Sequence, residues 1–213
     1  MIAVGALISG AGTNLQAIID RIAAKRLDCD LRLVVSNRAD AAGLRRATAA
    51  GVATRVVDHR GFSRREEFDR AVVAALREAG VELVVLAGFD RLITPVFLAA
   101  FPLRIINIHP ALLPGFTGLH AQRQALAYGV KIAGASVHFV DEDTDHGPLI
   151  VQGAVAVAPD DTEETLRERI LAVEHEIYPL AIQMFAEDRI RVEGRRVIIH
   201  GTRPPVPPPL VSW

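Results

Sequence analysis

Residues 2–19, IAVGALISGAGTNLQAII, are typical of the first unit of one fold class, because they pass from a buried strand through a glycine loop into a helix. Ile2–Ile8 is an uninterrupted apolar run of strand length, and Leu15, Ile18 and Ile19 recur at helical spacing. A strand without polar alternation is typical of a sheet that is covered on both faces. The stretch therefore predicts the first unit of an α/β fold.

The same alternation of strand and helix continues along the chain. Further apolar runs of strand length, with helical segments between them, are 31–35, 53–57, 83–86 and 104–108. We expect a mostly parallel, twisted sheet with helices on both faces and right-handed crossovers. Beyond Pro110 the pattern predicts a helix over 120–127, strands over 135–140 and 149–157, and a long helix from residue 161 or 162 that Pro179 kinks or restarts.

Composition excludes several classes of protein. The chain has 213 residues, with 24 Lys and Arg against 25 Asp and Glu, so its charge gives no reason to expect nucleic acid or anionic lipid as a partner. Cys29 is the only cysteine, which favours a reducing, cytoplasmic compartment, and no apolar run is long enough for a membrane span. We expect one catalytic domain over 1–200, a proline-rich tail over 201–213 and no metal site.

The glycine loop SGAGTN is a candidate site for an anion. Backbone N–H groups at the N-terminus of a helix have no intrahelical acceptor, and the helix dipole favours negative charge there. We predict that the amides of Gly12, Thr13 and Asn14 bind one phosphate monoester. A dinucleotide is disfavoured, because Leu15 stands where a third glycine would be. A tight turn without a ligand is the alternative.

The stretch RIINIHPALLPGF places Asn107 and His109 at the carboxyl end of the fifth predicted strand, and Asp145 follows in an acidic turn. Residues two apart on a strand point to the same side, and ligands bind at this edge of a doubly wound sheet. An amide, an imidazole and a carboxylate can together promote transfer at an acyl carbon. The alternative is that His109 only caps a loop. His138 is expected to be a hydrogen-bonded core residue.

Six segments resemble the phosphoribosylglycinamide formyltransferases, a family that transfers a formyl group from 10-formyltetrahydrofolate to glycinamide ribonucleotide in purine biosynthesis. They are ISGAGTNLQAII, VVSNRADAAGLRRA, VVLAGFDRLI, IINIHPALLPGFTGLHAQRQAL, ASVHFVDEDTDHGP and VEHEIYP, in this order. The resemblance runs from residue 1 to about residue 200 and implies a Rossmann-like formyltransferase fold. It also implies 10-formyltetrahydrofolate as co-substrate and glycinamide ribonucleotide as the other small-molecule substrate, with no nucleic acid and no membrane as partner. A homodimer is compatible with the resemblance.

The resemblance assigns roles to the candidate residues. The glycine loop would hold the substrate phosphate, and Glu174 would bind the ribose end. Asn107, His109 and Asp145 would form a catalytic trio, in which His109 is the proton donor. In this interpretation the charge of Asp145 raises the pKa of His109.

Folate contacts are implied for five residues of two segments: Arg65, Asp90, Arg91, Leu92 and Ile93. Three sites depart from the family pattern. Asp90 stands where Met is common, which predicts a more polar floor of the folate pocket. His146 replaces a Gly after the catalytic Asp, and residues 115–117 replace a Lys-Tyr-Pro type of loop. These departures concern affinity more than the type of reaction.

Other members of the wider group define the alternatives. Formyltetrahydrofolate deformylase, a hydrolase, shares the Asn–His–Asp set but adds an N-terminal regulatory domain, whereas residue 1 here already begins the sheet. Methionyl-tRNA formyltransferase would need a C-terminal RNA-binding domain and a basic surface. A non-enzymatic nucleotide-binding module would leave the trio unexplained. Formyl transfer to the ribonucleotide is therefore the leading prediction, with the deformylase as the alternative.

Overall fold

The computed structural model describes residues 1–201. The predicted proline-rich tail therefore lies, except for Gly201, outside the described residues. The sheet has seven strands in the order β3-β2-β1-β4-β5-β6-β7. These strands are β1 Ile2–Ile8, β2 Cys29–Ser36, β3 Ala53–Val56, β4 Leu83–Leu86, β5 Ile105–His109, β6 Ile132–Phe139 and β7 Leu149–Ala156.

Strands β1 to β5 are parallel, and β6 runs antiparallel to both of its neighbours, β5 and β7, so the mostly parallel sheet that the sequence predicts is confirmed. The chain between β6 and β7, residues 140–148, is too short to cross over the sheet, so it reverses direction and pairs the two strands antiparallel. The order of the strands reverses between β1 and β4, which places a ligand crevice at the carboxyl ends of these two strands.

Helices cover both faces of the sheet. They are α1 Thr13–Ala23, α2 Ala42–Ala49, α3 Arg65–Glu78, α4 Pro95–Ala100, α5 Ala121–Tyr128 and α6 Glu163–Ala186. Side chains of α1, α2 and α6 pack in one apolar cluster against the sheet, and those of α3 and α4 pack in another. Strand β1 contributes to both clusters, because Val4, Ala6 and Ile8 face one layer of helices and Leu7 faces the other.

The structure corrects the sequence analysis at three places. Helix α6 begins after a capping box at Thr162, as expected, but it continues through Pro179 and does not restart there. Helix α4 was not predicted, because it is a single short helical segment, with Pro95 in its first turn. A hairpin, β8 Ile190–Glu193 and β9 Arg196–Ile199, follows α6 and was also not predicted. Within residues 1–201, no helix has the length and hydropathy needed to cross a membrane.

Candidate active site

Strand β5 carries Asn107 and His109 to the carboxyl edge of the sheet, two positions apart on the same side. His109 is almost fully buried, and Pro110 ends the strand because it has no N–H for the next ladder bond. The neighbouring antiparallel strand β6 places His138 directly opposite Asn107. The carboxyl end of β5 therefore presents one amide and two imidazoles.

Asp145 connects these three side chains. Its carboxylate lies 3.3 Å from His109 Nδ1, 3.4 Å from Asn107 Nδ2 and 3.7 Å from His138 Nε2, and it accepts a 2.8 Å hydrogen bond from the N–H of Gly118. The structure thus brings together the predicted trio from β5 and the loop after β6.

His138 belongs to the same cluster, and no feature of the sequence pattern predicts that it does. It is 2% exposed and hydrogen-bonded, so the prediction of a buried, bonded core histidine is correct as far as it goes. Its Nδ1 lies 2.7 Å from the carbonyl of Phe139 and donates to it, and its Nε2 lies 3.2 Å from the amide nitrogen of Asn107. Only the antiparallel register of β5 and β6 reveals this contact.

The imidazole of His109 is held at both nitrogens. Its Nε2–H donates to the carbonyl of Phe116 at 2.9 Å, and Nδ1 faces the carboxylate of Asp145. Protonation of Nδ1 would satisfy both acceptors at once. Geometry therefore favours the imidazolium form, and burial opposes it.

Burial dominates the titration of His109. It lowers the pKa of His109 below its ordinary value, although the bond to the Phe116 carbonyl and the charge of Asp145 both raise it. The expectation that Asp145 raises this pKa is correct for the pair interaction, but the net shift is downward. Burial raises the pKa of Asp145, but His138, the Gly118 N–H and His109 lower it by more. The net shift is therefore downward, and the carboxylate is ionised at neutral pH.

The glycine loop folds as a helix N-terminus. Gly12 is the N-cap of α1 in the left-handed region, with φ of 69°, and Thr13 begins the helix. A Cβ on Gly12 would lie 2.6 Å from the Cα of Gly43 in α2, whereas nothing lies within 4 Å of one on Gly10. Gly12 is thus required by the backbone conformation and by the packing of α1 on α2, beyond any approach of an anion.

The predicted phosphate and ribose residues are in contact. Asn14 Nδ2 donates to Glu174 Oε2 at 2.7 Å, where α1 packs on α6. Glu174 is 6% exposed, and burial raises its pKa, although the bond from Asn14 opposes this shift. Within residues 1–201, the Oδ1 atom of Asn14 is buried without a hydrogen-bond partner.

The predicted folate segment, residues 90–93, follows β4 and is held at both ends. Asp90 accepts from Ser9 Oγ at 2.8 Å and from Asn37 Nδ2 at 2.9 Å, and it forms an ion pair with Arg38. These contacts turn its carboxylate toward the ends of β1 and β2. At the other end, the buried Asp69 accepts from the N–H and the hydroxyl of Thr94.

The other predicted folate residues lie nearer the surface. Leu92 is 56% exposed, and Arg91 and Ile93 are half-buried beside it. Arg65 is exposed at the first position of α3. Within the described part of the chain, no group of three or more His, Cys, Asp or Glu side chains is placed to hold a metal ion.

Comparison with known proteins identifies similar chains. The family model for "Formyl transferase" matches residues 2–182. The phosphoribosylglycinamide formyltransferase of Escherichia coli is 43% identical over 199 residues, which cover 93% of this chain and 94% of that protein. A crystal structure of glycinamide ribonucleotide transformylase 1 from Symbiobacterium toebii is 55% identical, with a TM-score of 0.92, over 93% of this chain and 94% of that chain.

A similar segment also occurs within larger proteins. The trifunctional purine biosynthetic protein adenosine-3 of Gallus gallus is 46% identical over 189 residues. These residues are 89% of this chain but only 19% of that protein. The similarity to it therefore concerns one segment of a much longer chain.

Proposed function

Because the chain belongs to the formyl transferase family, we propose that it transfers the formyl group of 10-formyltetrahydrofolate to the amine of glycinamide ribonucleotide. The convergence of Asn107, His109 and Asp145 at one edge of the sheet carries this proposal. The similarity to named phosphoribosylglycinamide formyltransferases over nearly their whole length supports it. Residues 1–200 are proposed as the catalytic domain.

The distance between the two halves of the site suits a ribonucleotide. The glycine loop follows β1, the trio lies at the end of β5, and β4 separates the two strands. Two strand spacings place the loop and the trio roughly 10 Å apart. The phosphate would bind the free amides of Gly12, Thr13 and Asn14, Glu174 would accept from the ribose, and the amine would reach the trio.

The reaction proposed for the trio is a direct transfer. The amine of the ribonucleotide attacks the formyl carbon and forms a C–N bond, and the carbonyl oxygen becomes an oxyanion. As the intermediate collapses, the bond from the formyl carbon to the folate nitrogen breaks. The attacking amine loses one proton and the folate nitrogen gains one, which yields the formylated ribonucleotide and tetrahydrofolate.

Asn107 and His109 supply the donors for the oxyanion. The N–H of Asn107 that faces Asp145 at 3.4 Å is weakly held and is the one free to turn toward the substrate. Nδ1 of His109 faces Asp145, so the group that donates to the substrate is Nε2–H. To do so, Nε2–H must release its hydrogen bond to the carbonyl of Phe116. Asp145 holds the ring in place and stabilises its charge, which makes proton donation possible in a buried site.

The folate would lie against residues 90–93 and Arg65. Arg91, Leu92 and Ile93 offer a cation and apolar surface at the open side of the segment. The carboxylate of Asp90 is already bonded to Ser9, so we assign Asp90 to holding the segment in place. The more polar pocket floor expected from Asp90 stays a prediction.

An assay of 10-formyltetrahydrofolate consumption tests the proposal against the hydrolytic alternative. Consumption should require glycinamide ribonucleotide and should match the formylated ribonucleotide formed. Equal consumption without the ribonucleotide would identify a deformylase and overturn the proposal. The names of the similar proteins do not favour that alternative.

Replacing Glu174 with Gln should weaken ribonucleotide binding and stabilise the fold at neutral pH. Loss of one charged acceptor is expected to raise the Kd roughly 10- to 100-fold. Because burial raises the pKa of Glu174, ionising it in the folded state costs stability as the pH rises above its ordinary value of 4.5. The free energy of unfolding of the variant should therefore exceed that of wild type at pH 7, and the difference should shrink toward pH 4.

Urea unfolding at the two pH values and calorimetry with the ribonucleotide measure these effects. Glu176→Gln is the matched control, because Glu176 lies on the same helix but is exposed and paired with Arg21. The hydrogen bond that Arg21 donates lowers the pKa of Glu176, so this control should not stabilise the protein. Unchanged ribonucleotide affinity in Glu174→Gln would contradict the ribose assignment.

A further inference from the structure

The loop that carries Asp145 is bonded by Gly118 and also by the hairpin of β8 and β9. The hairpin turns through Gly194 and Arg195, because Glu193 pairs with Arg196. At this turn, Nη2 of Arg195 donates to the backbone carbonyl of His146 at 2.6 Å. The acceptor is therefore in the residue that follows Asp145.

The same guanidinium also lies against the side chain of His146. Nη1 is 3.2 Å from Nδ1 and 3.0 Å from Nε2 of the imidazole. His146 Nδ1 in turn lies 2.9 Å from the carboxylate of Asp141, which is at the start of the same loop. Arg195 thus contacts the backbone of the loop and, through the ring of His146, the carboxylate of Asp141.

Asp145 needs such support because its backbone is strained. Its φ is 53°, in the left-handed region that residues with a side chain rarely adopt. Strained residues persist where surrounding contacts determine their conformation. Gly118 supplies such a contact to the carboxylate of Asp145, and Arg195 supplies another at the backbone carbonyl of the next residue, His146.

Packing and backbone hydrogen bonds fix the hairpin that carries Arg195. Ile190, Val192, Val197 and Ile199 pack against the larger apolar cluster of the sheet. The backbone of Arg189, just before β8, also bonds to the residue after β9, since the N–H of His200 donates to its carbonyl at 2.9 Å. The position of the turn is therefore set by the core.

We propose that Arg195 is a positioning residue that holds the loop backbone at His146, directly after Asp145, and so keeps the carboxylate of Asp145 on His109. The proposal rests on the proposed formyl transfer for its kinetic consequence, but the placement itself can be measured without turnover. His146, the departure from the family pattern, then has a role: its ring adds a side-chain contact for Arg195 to the backbone contact that any residue at this position could make.

Arg195→Ala tests the proposal by kinetics. The kcat should fall about tenfold, because a misplaced catalytic group loses alignment, while the KM for the ribonucleotide stays the same. Arg191→Ala is the matched control, since Arg191 lies on the same hairpin and pairs with Glu193 at 2.9 Å, away from the loop. It should leave kcat and KM at wild-type values.

Hydrogen exchange of the Gly118 amide, measured by NMR, tests the placement directly. This N–H donates to Asp145, so it should exchange several-fold faster in Arg195→Ala and at the wild-type rate in Arg191→Ala. Wild-type exchange and kcat in Arg195→Ala, or the same changes in Arg191→Ala, would overturn the proposal. If wild type transfers no formyl group, the proposed function fails, and the exchange rates still decide the role of Arg195.

Discussion

Replacing Asp145 with Asn is expected to lower turnover by roughly 10²–10⁴-fold, the range for loss of general acid–base catalysis. The variant loses the charge 3.3 Å from His109 Nδ1 and weakens the bond from Gly118. Single-turnover kinetics at saturating substrates measure the chemical step. Asp143→Asn is the matched control, because it removes the same charge from the same loop at an exposed position and should leave turnover unchanged.

The pH dependence of the Asp145→Asn variant has a definite sign. Turnover that needs protonated His109 falls as the pH rises through the pKa of this residue, which burial places below its ordinary value of 6.5. Asp145 raises this pKa, so its removal should move the falling limb of the rate profile to lower pH. A variant that keeps both the wild-type rate and the wild-type limb would show that Asp145 does not support His109.

Replacing Asn107 with Ala should lower kcat by roughly 10²–10³-fold, the range for loss of one oxyanion donor. The affinity for 10-formyltetrahydrofolate should change little, because the donor acts on the charge that develops during the reaction. Rapid-quench measurement of kcat, together with calorimetry on the folate, separates the two effects. The substitution also removes the amide that contacts Nε2 of His138, so thermal unfolding must confirm that the variant is folded.

If Asn107→Ala turned over at near the wild-type rate, Asn107 would have a structural role only. Its bond to His138 would then be its main contribution, as part of the pairing of β5 with β6. A loss confined to folate affinity would also contradict the assignment, because it would place Asn107 in the binding of the co-substrate.

Much of the sheet could be predicted because its signals are local. Ile2–Ile8 and Leu83–Leu86 are predicted with the bounds that the structure has, since a strand buried on both faces is a continuous apolar run. The hairpin of β8 and β9 gives no such signal, because each of its strands has only four residues and none of them is fully buried. Helix α6 continues through Pro179 because packing against the sheet outweighs the lost backbone bond.

The residue pattern alone predicts which chemical groups reach the carboxyl edge of the sheet. The spacing of Asn107 and His109 puts them on one side of a strand, and strand followed by glycine loop puts the amides of residues 12–14 at a helix N-terminus. The first placement follows from the two-residue period of side chains along a strand, and the second from the unpaired N–H groups at the start of a helix. Both depend only on residues close together in the chain.

How these groups interact depends on contacts that form when the whole chain packs. The antiparallel register brings His138 to Asn107, and a loop and a hairpin far apart in the sequence bring Arg195 to His146. Burial lowers the pKa of His109 although Asp145 raises it, a balance that depends on all surrounding atoms. Register, loop conformation and desolvation are set by contacts between residues distant in the chain, so no local pattern encodes them.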